Sequence, residues 1–207
     1  MFVEALLLFV AGISSPAFLA PPHKELHSIF SSARSEGSAN ALVDMKVEPG
    51  GRVYECTLVA SVGDESLLKR LCPTLQRKKT TGATNSAGQP SYGLLRTYVS
   101  LQSWGDPNAP PPQTAAPDYE LVVNTLPASA ENGLLEIHFD CEVSLEGVVV
   151  RCDLASKPDN APPPANYFDV AERQVVGSTL PPMTNRDGQP VPYVREVTVA
   201  FTLAGSS

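Results

Sequence analysis

The feature that most constrains this chain is one hairpin pattern that occurs twice. In residues 41–59 (ALVDMKVEPGGRVYECTLV), Val43, Met45 and Val47 alternate with Asp44, Lys46 and Glu48. A period of two is the mark of a strand with one buried face. Gly50-Gly51 then reads as a two-residue primed turn, because glycine reaches positive φ without a steric cost. Folding about that turn sets Val47 opposite Tyr54, Met45 opposite Cys56 and Val43 opposite Leu58, with all six on one face.

About a hundred residues later the pattern returns. Ile137, Phe139, Cys141 and Val143 alternate with Glu136, His138, Asp140 and Glu142. The turn falls at Glu146-Gly147, and Val148, Val150, Cys152 and Leu154 form the expected inward row of the return strand. Two diverged copies of one unit are therefore expected.

Between and after the hairpins the same order of elements recurs. Asp64 is placed to cap a helix whose apolar stripe is Leu67, Leu68, Leu71, Cys72 and Leu75, with Pro73 inside it. A loop over residues 82–90 leads to a third strand, with Leu95, Thr97, Val99 and Leu101 in alternation. Residues 103–118 contain Asp-Pro-Asn-Ala-Pro-Pro-Pro and read as a stiff linker, with Trp104 at its start. Tyr119 to Val123 reads as a short extra strand. In the second copy Asn166 is the expected helix cap, with Phe168, Ala171 and Val175 inward. Tyr193, Arg195, Val197, Val199, Phe201 and Leu203 share one side of the last strand. The expected fold class is α+β: two tandem β-β-α-β units, each a three-stranded antiparallel sheet with a helix on one face. The expected divisions are a signal peptide (1–17), an N-terminal segment (18–39), a first unit (40–102), the linker (103–118) and a second unit (119–203).

Composition narrows the function. The formal charge of −7 argues against nucleic acid as a partner, because phosphate neutralisation needs clustered Lys and Arg. The one basic run, Arg77-Lys78-Lys79, suits a helix end. The four cysteines lack the close pairs of a zinc site, so disulfides are expected if the chain is exported. The apolar run at residues 5–13 followed by Ser15-Pro16-Ala17 reads as a signal peptide cleaved after Ala17. A buried N-terminal element is the alternative, since residues 1–4 carry no Lys or Arg.

No catalytic motif is present: no GxSxG, HExxH, GxGxxG or P-loop. His138, Asp140 and Glu142 share a strand face, but strands facing water carry such residues routinely. His23 and His27 lack a third metal ligand. A non-enzymatic protein is expected, with no cofactor, no metal and no small-molecule substrate.

Taken together these motifs resemble the C-terminal domain of TonB-family proteins, in two tandem copies. The carrying residues are the turn Pro49-Gly50-Gly51-Arg52-Val53, the break Ser61-Val62-Gly63, and the loop ends Gly88-Gln89-Pro90 and Gly188-Gln189-Pro190. The resemblance implies a periplasmic or secreted protein that pairs an edge strand with an extended segment of an envelope protein. By position it assigns that role to the closing strands, with Leu94, Arg96, Tyr98 and Ser100 in the first unit and Tyr193, Arg195, Val197 and Val199 in the second. An accessory role in TonB-dependent transport, with a transporter peptide as partner, is the alternative.

The resemblance also touches the cysteines, since one cysteine-bearing subgroup ties the second strand to the helix. On that fold Cys56 faces the helix that carries Cys72, so these two are expected to pair. The second unit has Glu172 where the first has Cys72, which leaves Cys141 as the candidate for Cys152 across the hairpin. Two buried free thiols are the alternative. Counted from a two-residue turn, Cys141 and Cys152 form a hydrogen-bonded pair about 5.5 Å apart at Cα. Their bond is then the more easily reduced of the two.

Overall fold

The computed structural model describes residues 37–101, 115–130, 132–155 and 162–205. The signal peptide, His23 and His27, Trp104 and most of the linker lie outside these residues. In chain order the elements are β1 (Ala39–Val47), β2 (Val53–Gly63), α1 (Glu65–Leu75), β3 (Ala83–Thr84), β4 (Pro90–Leu101), β5 (Tyr119–Val123), β6 (Leu134–Val143), β7 (Val149–Leu154), α2 (Ala165–Val175), β8 (Met183–Thr184), β9 (Pro190–Val191) and β10 (Tyr193–Leu203).

The expectation of two separate three-stranded sheets is wrong. The strands build one mixed eight-stranded sheet in the order β2-β1-β4-β10-β6-β7, with β3 paired to β4 and β5 paired to β10; β8 and β9 form a small ribbon. The protein is predominantly β, with two helices among the described residues. The joint is a parallel pairing of the two closing strands, Tyr92 with Tyr193, Val194 with Gly93, and Arg195 with Leu94. Parallel pairing of equivalent strands turns the second half over relative to the first. Side-chain alternation shows the result. Val194 belongs to the first core, while Tyr92 and Leu94 pack on the second. The two cores therefore lie on opposite faces of one sheet.

Each helix covers one face at its own end of the sheet. Leu67, Leu71 and Leu75 of α1 are buried with Val43, Met45, Val47 and Val53. Each such side chain contributes about 1.5–3 kcal/mol by leaving water. Asp64 caps α1 as expected, accepting from the Ser66 and Leu67 amides. Its carboxyl is held below the usual aspartate range chiefly by the hydrogen bonds from Ser66. In α2, Ala171 and Val175 are buried and Phe168 packs 5.5 Å from Phe139, ring to ring. The α2 cap is Pro164 rather than Asn166, with no side-chain cap bond.

Both hairpin turns are one residue longer than expected. Glu48 N donates to Arg52 O and Gly51 N to Glu48 O; Ser144 N donates to Val148 O and Gly147 N to Ser144 O. Each loop has three residues, and the third is a glycine at positive φ, Gly51 at 80° and Gly147 at 86°. Both glycines also lie against the backbone that follows the helix. A Cβ on either would collide with the carbonyl of Thr80 or Leu180. The added loop residue shifts the first pair to Val47–Val53 and Val143–Val149. A bulge then restores the expected register, so Met45–Cys56, Val43–Leu58 and Cys141–Cys152 pair as expected. The bulged residues are Tyr54 and Val150, which leave the inward row assigned to them; Val150 is 55% exposed.

Candidate functional site

The expected site was a free edge on the closing strands; the structure places β10 inside the sheet and pairs β4 on both sides only up to Leu94. Tyr193 and Arg195 of β10 pair with Val143 and Cys141 on one side and with Tyr92 and Leu94 on the other. Val199 pairs with Ile137 and with Tyr119 of β5, and Val197 pairs with Phe139. All four side chains are buried. Arg96, Tyr98 and Ser100 of β4 pair with Asp44, Leu42 and Asn40 of β1, and Leu94 lies opposite Lys46. Beyond Leu94, no described strand pairs with the other side of β4.

A charge network holds the point where β4 and β10 part. Arg195 is buried in an apolar row, and its guanidinium is paired with Asp118. The other Asp118 oxygen accepts from Thr198 N at 3.0 Å, and Asp118 N donates to Thr198 O at 2.9 Å. Thus Asp118 neutralises the buried cation and starts β5 alongside β10. Burying an arginine without such a partner would cost several kcal/mol. Next to it, Arg96 makes a bidentate pair with Asp44, at 2.7 and 2.8 Å.

The halves also grip each other through their loops. Residues 85–89 and 185–189 form matching turns in which the Asn85 and Asn185 side chains accept from two backbone amides each. This is the structural role of the repeated Gly-Gln-Pro: Gly88 and Gly188 take positive φ at the turn. Ser86 N donates to Glu142 across the joint. From the other side, Tyr54 donates its hydroxyl to Thr184 O at 2.6 Å, meets Tyr92 edge to face, and lies under the Arg186 guanidinium. Arg186 in turn pairs with Glu48 at 2.6 Å. Burial, aided by nearby Glu55, pushes the Tyr54 phenol up to about 12. The bulge frees Tyr54 from the hairpin's inward row and lets it reach the other half.

The outer edges remain as places where another chain could pair. Among described strands β2 pairs only with β1, and β7 only with β6. Within β2, residues 57–63 are all exposed, with Leu58 at 37%, Val59 at 46% and Val62 at 37%. No charged residue and no proline lies between Cys56 and Gly63. Soluble proteins usually blunt an edge with lysine, proline, brevity or a bulge; of these β2 has only a bulge, at Val59, left unpaired between Val43–Leu58 and Leu42–Ala60. The signal was present in the sequence as the uncharged run Thr-Leu-Val-Ala-Ser-Val-Gly, outside the strands assigned to binding.

Both disulfides are present. Cys56–Cys72 ties β2 to α1, and Cys141–Cys152 staples the second hairpin. The Cys141–Cys152 Cα distance is 4.1 Å, the close spacing of a pair that exchanges no hydrogen bonds, rather than the wider spacing expected. The bulge at Val150 makes the difference. Cys141 and Cys152 are buried, whereas Cys56 and Cys72 are partly exposed. On exposure, Cys56–Cys72 is the bond more accessible to reductant. The two bonds fit an oxidising, exported environment. Among the described residues no helix is long and apolar enough to cross a membrane.

His138 is not simply a solvated side chain. Its Nδ1 lies 3.0 Å from Glu196 and 3.1 Å from Thr198 Oγ1, and its Nε2 is 3.9 Å from Glu136. Among the described residues no three His, Cys, Asp or Glu side chains converge as a metal site requires.

No family model, no curated protein and no solved structure matches the chain. The class defined by fold and edge is a disulfide-bonded, mostly β protein built on one mixed sheet. The likeness to TonB C-terminal domains rests on the sequence pattern alone.

Proposed function

We propose that this protein is a non-enzymatic binding module of the periplasm or extracellular space that receives a partner's extended strand on the outer edge of β2. One observation carries the reading: an exposed strand edge of seven residues, 57–63, without charge or proline. A bare edge offers unpaired N–H and C=O groups for main-chain hydrogen bonds, and its side chains select the partner. The Cys56–Cys72 bond supports it by fixing the strand to the helix, which lowers the entropy lost on pairing. The test is affinity capture from envelope extract with the oxidised chain and with its Val59→Lys variant, followed by crosslinking from β2. A partner retained by the parent chain, lost by the variant and crosslinked to β2 is the expected result. Equal capture by both would overturn the reading. A captured outer-membrane transporter would narrow it to an accessory role in TonB-dependent transport.

A further inference from the structure

We infer that residues 23–34 form an amphipathic helix that docks on the uncovered face of the first half of the sheet, over Leu42 and Tyr98. The inference goes beyond the edge reading and does not rest on it, because it concerns a face of the sheet and not the outer edge of β2. α1 covers only the face that carries Val43, Met45 and Val47. The strand register sets out the other face in rows across β2, β1 and β4. Val62, Asn40 and Ser100 form the first row, and Ala60, Leu42 and Tyr98 the second. Both rows are uncharged. Charges begin only further along, where Asp44 holds Arg96 and Lys46 holds Glu55. Leu42 and Tyr98 belong to neither core. Yet Asn40 is 1% exposed, Leu42 is half-buried, and the Tyr98 hydroxyl is buried with no hydrogen-bond partner among the described residues. Neither described helix accounts for that burial: α1 lies on the opposite face, and α2 packs on Phe139 and Phe201 of the second half.

The chain itself brings a fitting segment to that end of the sheet. Ahead of β1, Leu26, Ile29, Phe30 and Ala33 fall at the i, i+3, i+4, i+7 spacing of one helix face. Pro21-Pro22 precede the stripe and suit a helix start. Ser28 and Ser31 fall on the opposite side. Twelve helical residues span about 18 Å. The residues between Ala33 and β1 are few, 34–38, and reach at most about 17 Å when extended. They end one residue before Asn40, so this short tether keeps the stripe beside the uncharged rows. The linker after Leu101 leaves the sheet at the same end, since Leu101 pairs with Ala39. It is the poorer occupant. Its run Asp-Pro-Asn-Ala-Pro-Pro-Pro does not fit a helix, and it is tied at both ends, by Leu101 in β4 and by the Asp118 bond to Thr198 O.

Hydrogen exchange on the full oxidised chain tests this. Amides of residues 26–33 should be protected in the parent. Phe30→Lys should speed their exchange at least about tenfold, because it removes a large apolar side chain from the contact, while α1 and α2 keep their protection. Ser28→Lys, on the outward side of the helix, should leave the protection unchanged. Leu42→Lys should release residues 26–33 from the sheet side. Because Leu42 lies within a strand, β1 protection is read alongside, and Tyr98→Ser serves as a second variant in the same row with the same expected release. Exchange of residues 26–33 at the rate of an unstructured chain in the parent would overturn the inference. So would protection that survives Phe30→Lys. Protection that survives Leu42→Lys and Tyr98→Ser with β1 intact would put the helix on another surface and overturn the docking site.

Discussion

The outer strands of the two halves start from the same hairpin and end as different edges. β2 and β7 share a three-residue turn, a glycine locked against the post-helix backbone, and a bulge at the same position. They differ in what faces outward. β7 runs six residues, and Arg151 pairs with Asp153 on it at 3.0 Å. β2 runs eleven residues and is uncharged after Glu55. The fold tolerates either, so folding alone does not require the bare edge. The disulfides follow the same division. In the second half the bond crosses the hairpin and leaves the helix untied, while in the first it locks the edge strand to its helix. Where the edge is guarded the staple is internal; where it is bare the staple holds the edge rigid.

Four experiments would break or sharpen that comparison. The largest effect is expected from Phe139→Ala, which empties the centre of the second core, where Phe139 is fully buried against Phe168. A loss of about 3–5 kcal/mol is expected. Because the halves share one sheet, calorimetry should show a single transition moving down; a first half that melts separately at its old temperature would break the single-sheet account.

Next in size is removal of Cys56–Cys72 by alanine at both positions, with about 3 kcal/mol expected from loop closure across a separation of 16 residues. Removing Cys141–Cys152, with a separation of 11, should cost a similar amount. The two should differ in place. Hydrogen exchange should rise along β2 in the first variant and stay confined to the second hairpin in the other. Timed alkylation under mild reductant should label Cys56 and Cys72 before Cys141 and Cys152.

A smaller effect is expected at the clamp between halves. Tyr54→Phe removes the bond to the Thr184 carbonyl and should cost about 1 kcal/mol in denaturant unfolding. Its pH dependence has a definite sign. The Tyr54 pKa is raised in the folded chain, so its contribution is fully present below the ordinary tyrosine value near 10. It is lost as pH rises from there through about 12. The parent should lose stability over that window more steeply than Tyr54→Phe; equal slopes would remove Tyr54 from the clamp.

The smallest stability change is expected from Val59→Lys, within about 0.5 kcal/mol, since the side chain is already 46% exposed. Its matched control is Val150→Lys on the guarded half. Partner capture should fall only for Val59→Lys, and a loss for both would erase the difference between the edges.

Much of the local structure was legible because it depends on neighbours in the chain. The alternation around Val43 and Ile137, the Asp64 cap, the leucine stripe of α1 and both cysteine pairings follow from periods of two and 3.6 and from short hairpins. The turns were misread by one residue, since Gly50-Gly51 fits a two-residue loop as well as the end of a three-residue one. The bulges at Tyr54 and Val150 compensated, which is why the cysteine register survived the error. The assignment of a free edge to β10 failed for a different reason. Strand β10 carries Val194 and Ala200 on its second face, both buried. That is the mark of an inner strand, but the alternation of Tyr193, Val197 and Phe201 masks it.

What the sequence determined by itself was therefore the repeated order of elements, the Asp64 cap and the cysteine partners, all set by contacts between residues near in the chain or joined by one turn. The tertiary structure alone decided that the two closing strands meet in parallel, that the cores fall on opposite faces, and that Asp118 neutralises Arg195. Those contacts bridge some eighty to a hundred residues. They are chosen by which unpaired strand edges can satisfy each other, a competition between whole surfaces that no local pattern records. The same competition left β2 and β7 as the outer strands of the sheet among the described residues.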